Sequence, residues 1–119
     1  MRPGDAPGER PAAPVTYLMN AAVLTDYGEW CFEGPLDDTR VRALLENGFI
    51  SAIGHEATAQ YLSRRFGLDV QCARVTVTMN PGDRAVILRL LRRLGEGESL
   101  DATALDAEPV EFGLLERRR

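Results

Sequence analysis

The hydrophobic and polar positions of the chain change between strand-like and helix-like spacing. Hydrophobic residues run together from Val15 to Leu24, which predicts a strand covered on both faces. Thr25 to Gly28 predicts a turn, so Glu29 to Phe32 is expected to return as the second strand of a hairpin. Pro35 then ends the extended pattern.

Two helices are predicted in the middle of the chain. Asp37 or Asp38 is a suitable N-cap for the first helix, and Asn47-Gly48 is a suitable stop. The second helix runs from about Gly54 to Phe66 and ends at Gly67. The hydrophobic stripe of the first helix consists of Val41, Leu44 and Leu45.

The second half of the chain is predicted to be mostly strand. Strict alternation from Arg74 to Met79, a turn signal at residues 80–83 and a strand from Arg84 to Leu91 predict an antiparallel hairpin over residues 74–91. A short helix from Asp101 to Leu105 and a last strand from Val110 to Leu114 follow. Because strands and helices do not alternate regularly, the sequence predicts an α+β domain with a mixed β-sheet and helices packed mainly on one face.

Composition divides the chain into three parts. Residues 1–14 are rich in Pro and Gly and lack a hydrophobic block, so we expect a flexible tail and no signal peptide there. Residues 15–115 are enough for a single domain with one buried core. Residues 116–119 form a basic C-terminal end, whose Arg117, Arg118 and Arg119 are expected to follow the last strand in solvent.

Charge and cysteine content argue against several classes of protein. The net charge is −4, and residues 15–115 carry −6 because residues 1–14 are neutral and residues 116–119 carry +2. Such an acidic body argues against binding long nucleic acid, and no hydrophobic run is long enough for a membrane span. Cys31 and Cys72 lack metal-binding spacing, which favours reduced thiols in the cytoplasm. No cofactor-binding or metal-binding motif is present, so neither group is expected.

His55 is the only histidine, and it lies where a hydrophobic run passes through Gly54 into the second helix. The first turn of a helix offers unpaired N–H groups and the positive end of the macrodipole, so a phosphate bound there would be within reach of the imidazole. A structural role remains an alternative, because His55, Ala59, Leu62 and Phe66 have the spacing of one buried helix face.

Six segments occur in an order and spacing that resemble one protein family, the viral anti-CRISPR ring nucleases of archaeal viruses, phages and bacteria. The resemblance covers residues 15–115, and the Ser-Ala-Ile-Gly-His-Glu-Ala-Thr segment at residues 51–58 is its most distinctive part. The segments are Tyr17-Leu18-Met19-Asn20, Leu24-Thr25-x-Tyr27-Gly28, residues 49–59, Pro81-Gly82-Asp83, Arg93-Leu94-x-Glu96-Gly97 and Glu111-Phe112-Gly113-Leu114-Leu115.

The resemblance implies metal-independent cleavage of cyclic tetra-adenylate, the second messenger of type III CRISPR defence, by a homodimer that closes over the ring. It places the main catalytic role on the histidine of the Gly-His motif. Further catalytic and ligand-binding roles fall on other matched positions. The implied catalytic residues are His55, Arg93 and Glu96, and the implied ligand-binding residues are Asn20, Gly54 and Arg74.

One position departs from the family pattern. Some relatives have a hydroxyl just after the asparagine, where this chain has residues 21–23 without one, so Thr25 is a candidate substitute. Other interpretations stay open for the charged residues. Arg74 and Arg93 could be solvated arginines at strand ends, and Glu96 could belong to a solvated turn with Glu98.

Two further questions stay open at this point. Glu96 would either orient an arginine or accept the 2′-hydroxyl proton, and nothing in the sequence would raise its basicity, which favours orientation. The function itself has two alternatives, a non-catalytic sponge or sensor that binds the same messenger, and a protein-interaction module without a nucleotide ligand. The presence of both His55 and Glu96 favours catalysis over simple binding.

Overall fold

A five-stranded mixed sheet forms the centre of the fold. The computed structural model describes residues 14–92, 95 and 100–119, so nearly all of the predicted N-terminal tail lies outside the described residues. In chain order the elements are β1 (Thr16–Met19), β2 (Trp30–Glu33), α1 (Asp38–Leu45), β3 (Ile50–Ser51), α2 (Glu56–Phe66), β4 (Arg84–Leu90), α3 (Ala102–Asp106) and β5 (Val110–Arg117).

The strand order in the sheet is β2-β5-β4-β1-β3. Strand β1 is parallel to both of its neighbours, with Thr16 opposite Arg84 on β4 and Tyr17 opposite Ile50 on β3. Strand β5 is antiparallel to β4 and to β2. The mixed sheet and the three helices confirm the predicted α+β class.

The helices pack on one face of the sheet, as the sequence predicts. Alternate residues of the strands point to this face because side chains alternate along a strand. We call the resulting group the helix-side cluster. It contains Leu18, Val41, Leu44, Leu45, Ile53, Ala59, Tyr61, Leu62, Phe66, Val70, Val86, Leu88, Leu105, Phe112 and Leu114.

The opposite face of the sheet carries a smaller buried group, which we call the second cluster. No helix residue belongs to it, and Met79 contributes to it from the segment that precedes β4. Met19 and Leu18 of β1 are buried on opposite faces, which confirms that the first strand is covered on both sides. The buried members of the second cluster are Met19, Met79, Ala85, Ile87 and Leu115.

Local capping signals place the helices correctly. The Asp37 carboxylate accepts a hydrogen bond from the Arg40 N–H at 2.8 Å and so satisfies a free donor of the first turn of α1. Asp101 caps α3 in the same way through the Ala104 N–H at 2.7 Å. Helix α2 ends at Gly67, whose φ of 64° is the left-handed conformation that glycine adopts without steric cost.

The predicted hairpin between the first two strands is wrong. Strand β1 ends at Met19 and lies between β3 and β4, whereas β2 pairs with β5 at the far side of the sheet. The intervening segment is held by non-local bonds in place of a tight turn, since the Thr25 hydroxyl accepts a hydrogen bond from the Met79 N–H at 3.1 Å. A turn signal alone therefore did not determine the pairing of these strands.

The predicted hairpin over residues 74–91 is also wrong. Strand β4 matches its prediction closely, but it pairs with β1 and β5, and residues 74–79 join no strand of the sheet. Only part of the alternation corresponds to packing: Met79 is buried and Val77 packs against the second cluster, whereas Val75 is exposed together with Thr76 and Thr78. Packing onto a sheet face selects the same two-residue period as pairing at its edge.

The last strand continues three residues beyond its predicted end, and this changes the environment of one arginine. Arg117 lies in the ladder opposite Trp30, and its side chain is only 13% exposed. Its guanidinium donates to the Met79 carbonyl at 2.6 Å and to the Tyr27 carbonyl at 3.2 Å. The expectation of a solvated residue is thus wrong for Arg117, whereas Arg118 and Arg119 are exposed.

Candidate functional site

The carboxyl ends of three neighbouring parallel strands meet at one edge of the sheet. Asn20 follows the last residue of β1 and is exposed there. Leu18 lies opposite Ser51, and the Ala52 N–H donates to the Leu18 carbonyl at 2.9 Å, so the chain leaves β1 beside the segment that leads to Gly54. Ligand sites of sheets with parallel strands form at such carboxyl ends, because the loops that follow the strands gather there.

His55 is the N-cap residue of α2, with φ −123° and ψ 128°. Its side chain makes no capping bond and is exposed, and it has no hydrogen-bond partner among the residues that the structure describes. Ala59, Leu62 and Phe66 are buried as their spacing predicts. The helix begins at Glu56 and not at Gly54, so the imidazole stays outside the buried face, and the structural alternative for His55 is wrong.

The backbone at the start of α2 has free hydrogen-bond donors. The Ala59 N–H donates to the His55 carbonyl at 3.0 Å and is the first bond of the helix. The N–H groups of Glu56, Ala57 and Thr58 have no acceptor within the described part of the chain. Such groups, with the positive end of the macrodipole, favour an anion, although the exposed Glu56 carboxylate opposes it in part.

The structure brings Arg74 to this helix start. Ile53 forms an isolated parallel bridge with Cys72, and the Ala73 N–H donates to the Ile53 carbonyl at 2.8 Å. This pairing places Arg74 beside Gly54, and its Nε donates to the Gly54 carbonyl at 3.0 Å. Gly54 and Arg74, two of the predicted ligand-binding residues, are therefore in direct contact. Gly54 immediately precedes His55 in the chain.

Only part of the Arg74 guanidinium is used by the protein. A guanidinium has five N–H donors, and the Nε bond to Gly54 uses one of them. The four on the Nη atoms have no acceptor in the described part of the chain, and the side chain is exposed. Arg74 can therefore present a two-pronged donor to a phosphate at the start of α2.

The structure does not bring Thr25 to this site. Its hydroxyl is engaged by the Met79 N–H, and Met79 precedes the turn at residues 80–83 that leads into β4. That turn lies at the amino edge of the sheet, since Arg84 pairs with Thr16, the first residue of β1. The Thr25 hydroxyl is thus engaged within the fold, and its role as a substitute ligand contact stays a prediction. The predicted catalytic residues Arg93 and Glu96 lie outside the described residues.

Sequence reasoning missed one group of contacts entirely. Arg117 joins Met79 and Tyr27, which are 38 and 90 positions away in the chain. No local pattern reports such a contact, and the terminal run of arginines instead resembles a solvated tail. The sequence contains one relevant signal. The hydrophobic segment that ends at Leu115 is compatible with a strand that continues to Arg117.

Two further findings concern metal ligands and helix length. Among the residues that the structure describes, no group of three or more His, Cys, Asp or Glu side chains could hold a metal ion. In the same part of the chain, no helix is long and apolar enough to cross a membrane.

The sheet order and the histidine at its carboxyl edge define a small α+β domain with an exposed candidate anion site. The chain belongs to the STIV B116-like family, whose model matches residues 16–114. It is 42% identical to protein ORF117 of Acidianus two-tailed virus over an alignment of 110 residues, and the match covers 88% of this chain and 93% of that protein. It is 34% identical to protein 26 of Sulfolobus islandicus filamentous virus over an alignment of 104 residues, and that match covers 82% of this chain and 86% of that protein.

A solved structure agrees with the fold. B116 of Sulfolobus turreted icosahedral virus matches with a TM-score of 0.67 and 26% sequence identity. The match covers 87% of this chain and 99% of that chain. The family therefore includes proteins of archaeal viruses that extend over nearly the same length as this domain.

Proposed function

We propose that this protein is a metal-independent ring nuclease that cleaves cyclic tetra-adenylate and so switches off type III CRISPR signalling. The observation that carries the proposal is the exposed imidazole of His55 at the N-cap of α2, which has no partner among the described residues and directly follows Gly54, whose carbonyl accepts a hydrogen bond from the Arg74 Nε. The family resemblance supplies the substrate. The geometry supports the chemistry, because a proton donor and a cationic side chain are both held at the start of one helix.

Beyond the substrate, the reaction needs a proton acceptor, which water supplies, and a proton donor. The ribose 2′-oxygen attacks the adjacent phosphorus and gives its proton to water, while the bond from phosphorus to the 5′-oxygen breaks. The imidazolium of His55 gives its proton to the departing 5′-oxygen. Each such cut leaves a 2′,3′-cyclic phosphate and a 5′-hydroxyl, and two cuts convert the ring into two linear di-adenylates. General acid catalysis of this kind contributes about 10²–10⁴ in rate.

The bound phosphate itself favours the acid form of His55. The helix start disfavours a nearby cation by about 0.3–1 kcal/mol. A phosphate about 4 Å away, at an effective dielectric constant of about 20, favours the same cation by about 4 kcal/mol. The phosphate term is larger, so a bound ring favours a cation at this helix start. Arg74 holds the phosphate oxygens and stabilises the charge that develops on them.

A homodimer fits both the substrate and the exposure of the site. His55, Asn20 and Arg74 are exposed in a single chain, so an enclosed site requires a second surface. Cyclic tetra-adenylate has four phosphates and can be placed on a two-fold axis. Two copies of one site would then meet opposite phosphates in an isologous arrangement.

The test is incubation of the protein with cyclic tetra-adenylate carrying ³²P, followed by separation of the products. We expect di-adenylates with 2′,3′-cyclic phosphate from the natural chain and a rate at least about 100-fold lower from His55→Ala. Gln60→Ala, on an exposed position of the same helix, is the matched control and should be unchanged. A ring that binds but stays intact would favour the sponge or sensor, and absence of binding would favour a protein-interaction module.

A further inference from the structure

The Arg74 side chain crosses directly over Gly54. A Cβ atom built on Gly54 would lie 3.2 Å from the Arg74 Cγ, 3.8 Å from its Nε and 4.0 Å from its Cδ. The first of these distances is shorter than ordinary van der Waals contact between carbon atoms. The stem of the arginine therefore occupies space that a side chain on Gly54 would need.

The conformation of Gly54 gives no other reason for a glycine. The glycines with positive φ in the described chain are Gly28, Gly34, Gly48, Gly67 and Gly82, and Gly54 is not among them. Its φ therefore lies outside the left-handed region that favours glycine. What glycine provides at this position is the space above its backbone.

We propose that Gly54 is a positioning residue that acts through Arg74, an inference that rests on the proposed function. The missing Cβ lets the arginine stem lie flat on the backbone, and the Nε bond to the Gly54 carbonyl fixes the plane of the guanidinium. The four Nη donors are then presented beside His55, the next residue, before any ligand arrives. Gly54 thereby sets the distance between the Arg74 Nη groups, which bind phosphate, and the His55 imidazole, which donates the proton.

Preorganisation of this kind has a measurable consequence. A guanidinium that is already oriented loses less conformational freedom when it binds phosphate, so the affinity of the complex is higher. A displaced Arg74 guanidinium also shifts the bound phosphate relative to His55. Small displacements of reacting groups lower the rate of the chemical step. Gly54→Ala should therefore raise KM and lower kcat.

The experiment is a double-mutant cycle on cyclic tetra-adenylate cleavage with Gly54→Ala, Arg74→Ala and the double variant. We expect Gly54→Ala alone to lower kcat/KM about tenfold, a coupling within the range found for residues in contact. The larger Gly54→Ser should lower it at least as much. In the Arg74→Ala background the Gly54→Ala change should have no further effect, because the group through which it acts is gone.

A second readout does not depend on catalysis. The Nε–H of Arg74 gives a side-chain signal in a ¹H–¹⁵N spectrum of the free protein, assigned by its loss in Arg74→Ala. We expect Gly54→Ala to shift this signal and to speed its exchange with water, since the bond to the Gly54 carbonyl is displaced. The thermal unfolding midpoint should stay at or above that of the natural chain, because alanine restricts the unfolded state more than glycine does.

Failure of this inference can be distinguished from failure of the proposed function. If the natural chain neither binds nor cleaves cyclic tetra-adenylate, the proposed function fails, and the spectrum still tests the contact between Gly54 and Arg74. Additive losses in kcat/KM for the two substitutions would overturn the positioning role even if cleavage is confirmed. An unchanged Arg74 Nε–H signal in Gly54→Ala would overturn it independently.

Discussion

Arg117 donates a hydrogen bond from Nη1 to the carbonyl oxygen of Met79 at 2.6 Å. The N–H of the same methionine donates to the Thr25 hydroxyl, and the Arg117 guanidinium also reaches the Asp26 carboxylate at 3.3 Å and the Trp30 ring at 5.6 Å. The backbone groups of one buried residue are thus satisfied by two segments that are far apart in sequence. Arg117 fastens the loop after β1 to the segment before β4.

Replacing Arg117 should destabilise the fold. Arg117→Ala removes charge-assisted bonds to backbone carbonyls and leaves the Met79 carbonyl without its donor in a buried setting. Hydrogen bonds to charged groups contribute about 1.5–3 kcal/mol each, so we expect the free energy of unfolding to fall by about 2–3 kcal/mol. Urea denaturation followed by circular dichroism measures this change.

Arg118→Ala is the matched control for that measurement. Its side chain is exposed and lies one residue away, so its effect should stay within about 0.5 kcal/mol. Equal effects of the two substitutions would show that the contacts of Arg117 contribute nothing beyond those of a surface arginine.

Turnover of cyclic tetra-adenylate should distinguish the arginines assigned to the site from those at the C-terminus. Arg74→Ala, and Arg93→Ala by the resemblance, should each lower kcat/KM for cyclic tetra-adenylate by at least about tenfold, because bonds to phosphate in an enclosed site are charge-assisted. Arg118→Ala and Arg119→Ala should leave turnover near that of the natural chain. Their exposed charges are screened beyond about 8 Å at 0.15 M salt.

The turnover of each variant is measured at two salt concentrations. Arg117 is omitted from the C-terminal set because its replacement is expected to act through stability. If Arg118→Ala or Arg119→Ala caused the large loss while Arg74→Ala and Arg93→Ala behaved normally, the ligand would have to lie away from the start of α2.

Cleavage should survive removal of divalent cations. The proposed reaction uses the 2′-hydroxyl of the substrate as nucleophile and His55 as acid, so excess EDTA should leave the initial rate within about twofold. The assay compares initial rates with EDTA, with EDTA followed by excess magnesium, and with buffer alone. A rate that disappears with EDTA and returns with magnesium would contradict this mechanism.

The active form should be a homodimer. Sedimentation velocity should give about twice the mass of the 13.1 kDa chain at the concentrations used for cleavage. Dilution below the dimer dissociation constant should reduce the activity per chain, because a half-site encloses only part of the ring. Full activity per chain from a monomer would contradict a site shared by two copies.

The sequence predicted the helices well because the relevant signals are local. Asp37 and Asp101 cap the helices from the residue immediately before them, and Gly67 ends α2 from the residue immediately after. The strand pairing was predicted less well, since it depends on contacts between distant segments. Residues 74–79 have the alternation of a strand, yet they join no ladder, and only Val77 and Met79 among them pack against the second cluster.

The candidate site could be predicted only in part for the same reason. The neighbouring residues predicted that His55 lies at a helix start. Its exposure depends on the exact start of α2, which begins at Glu56, the residue after His55. The contact of Arg74 with Gly54 bridges 20 positions and depends on the pairing of Ile53 with Cys72. The engagement of Thr25 by Met79 bridges 54 positions and had no counterpart in the local pattern.

The parallel arrangement of β1, β3 and β4 separates the residues that fold the chain from those that would meet a ligand. Asn20 is exposed directly after the buried Met19, and His55 is exposed two residues after the buried Ile53. A substitution at either exposed position leaves every buried side chain in place. Under the proposed function, substitutions at the ends of the strands should therefore change ligand preference without changing the hydrophobic core that maintains the sheet.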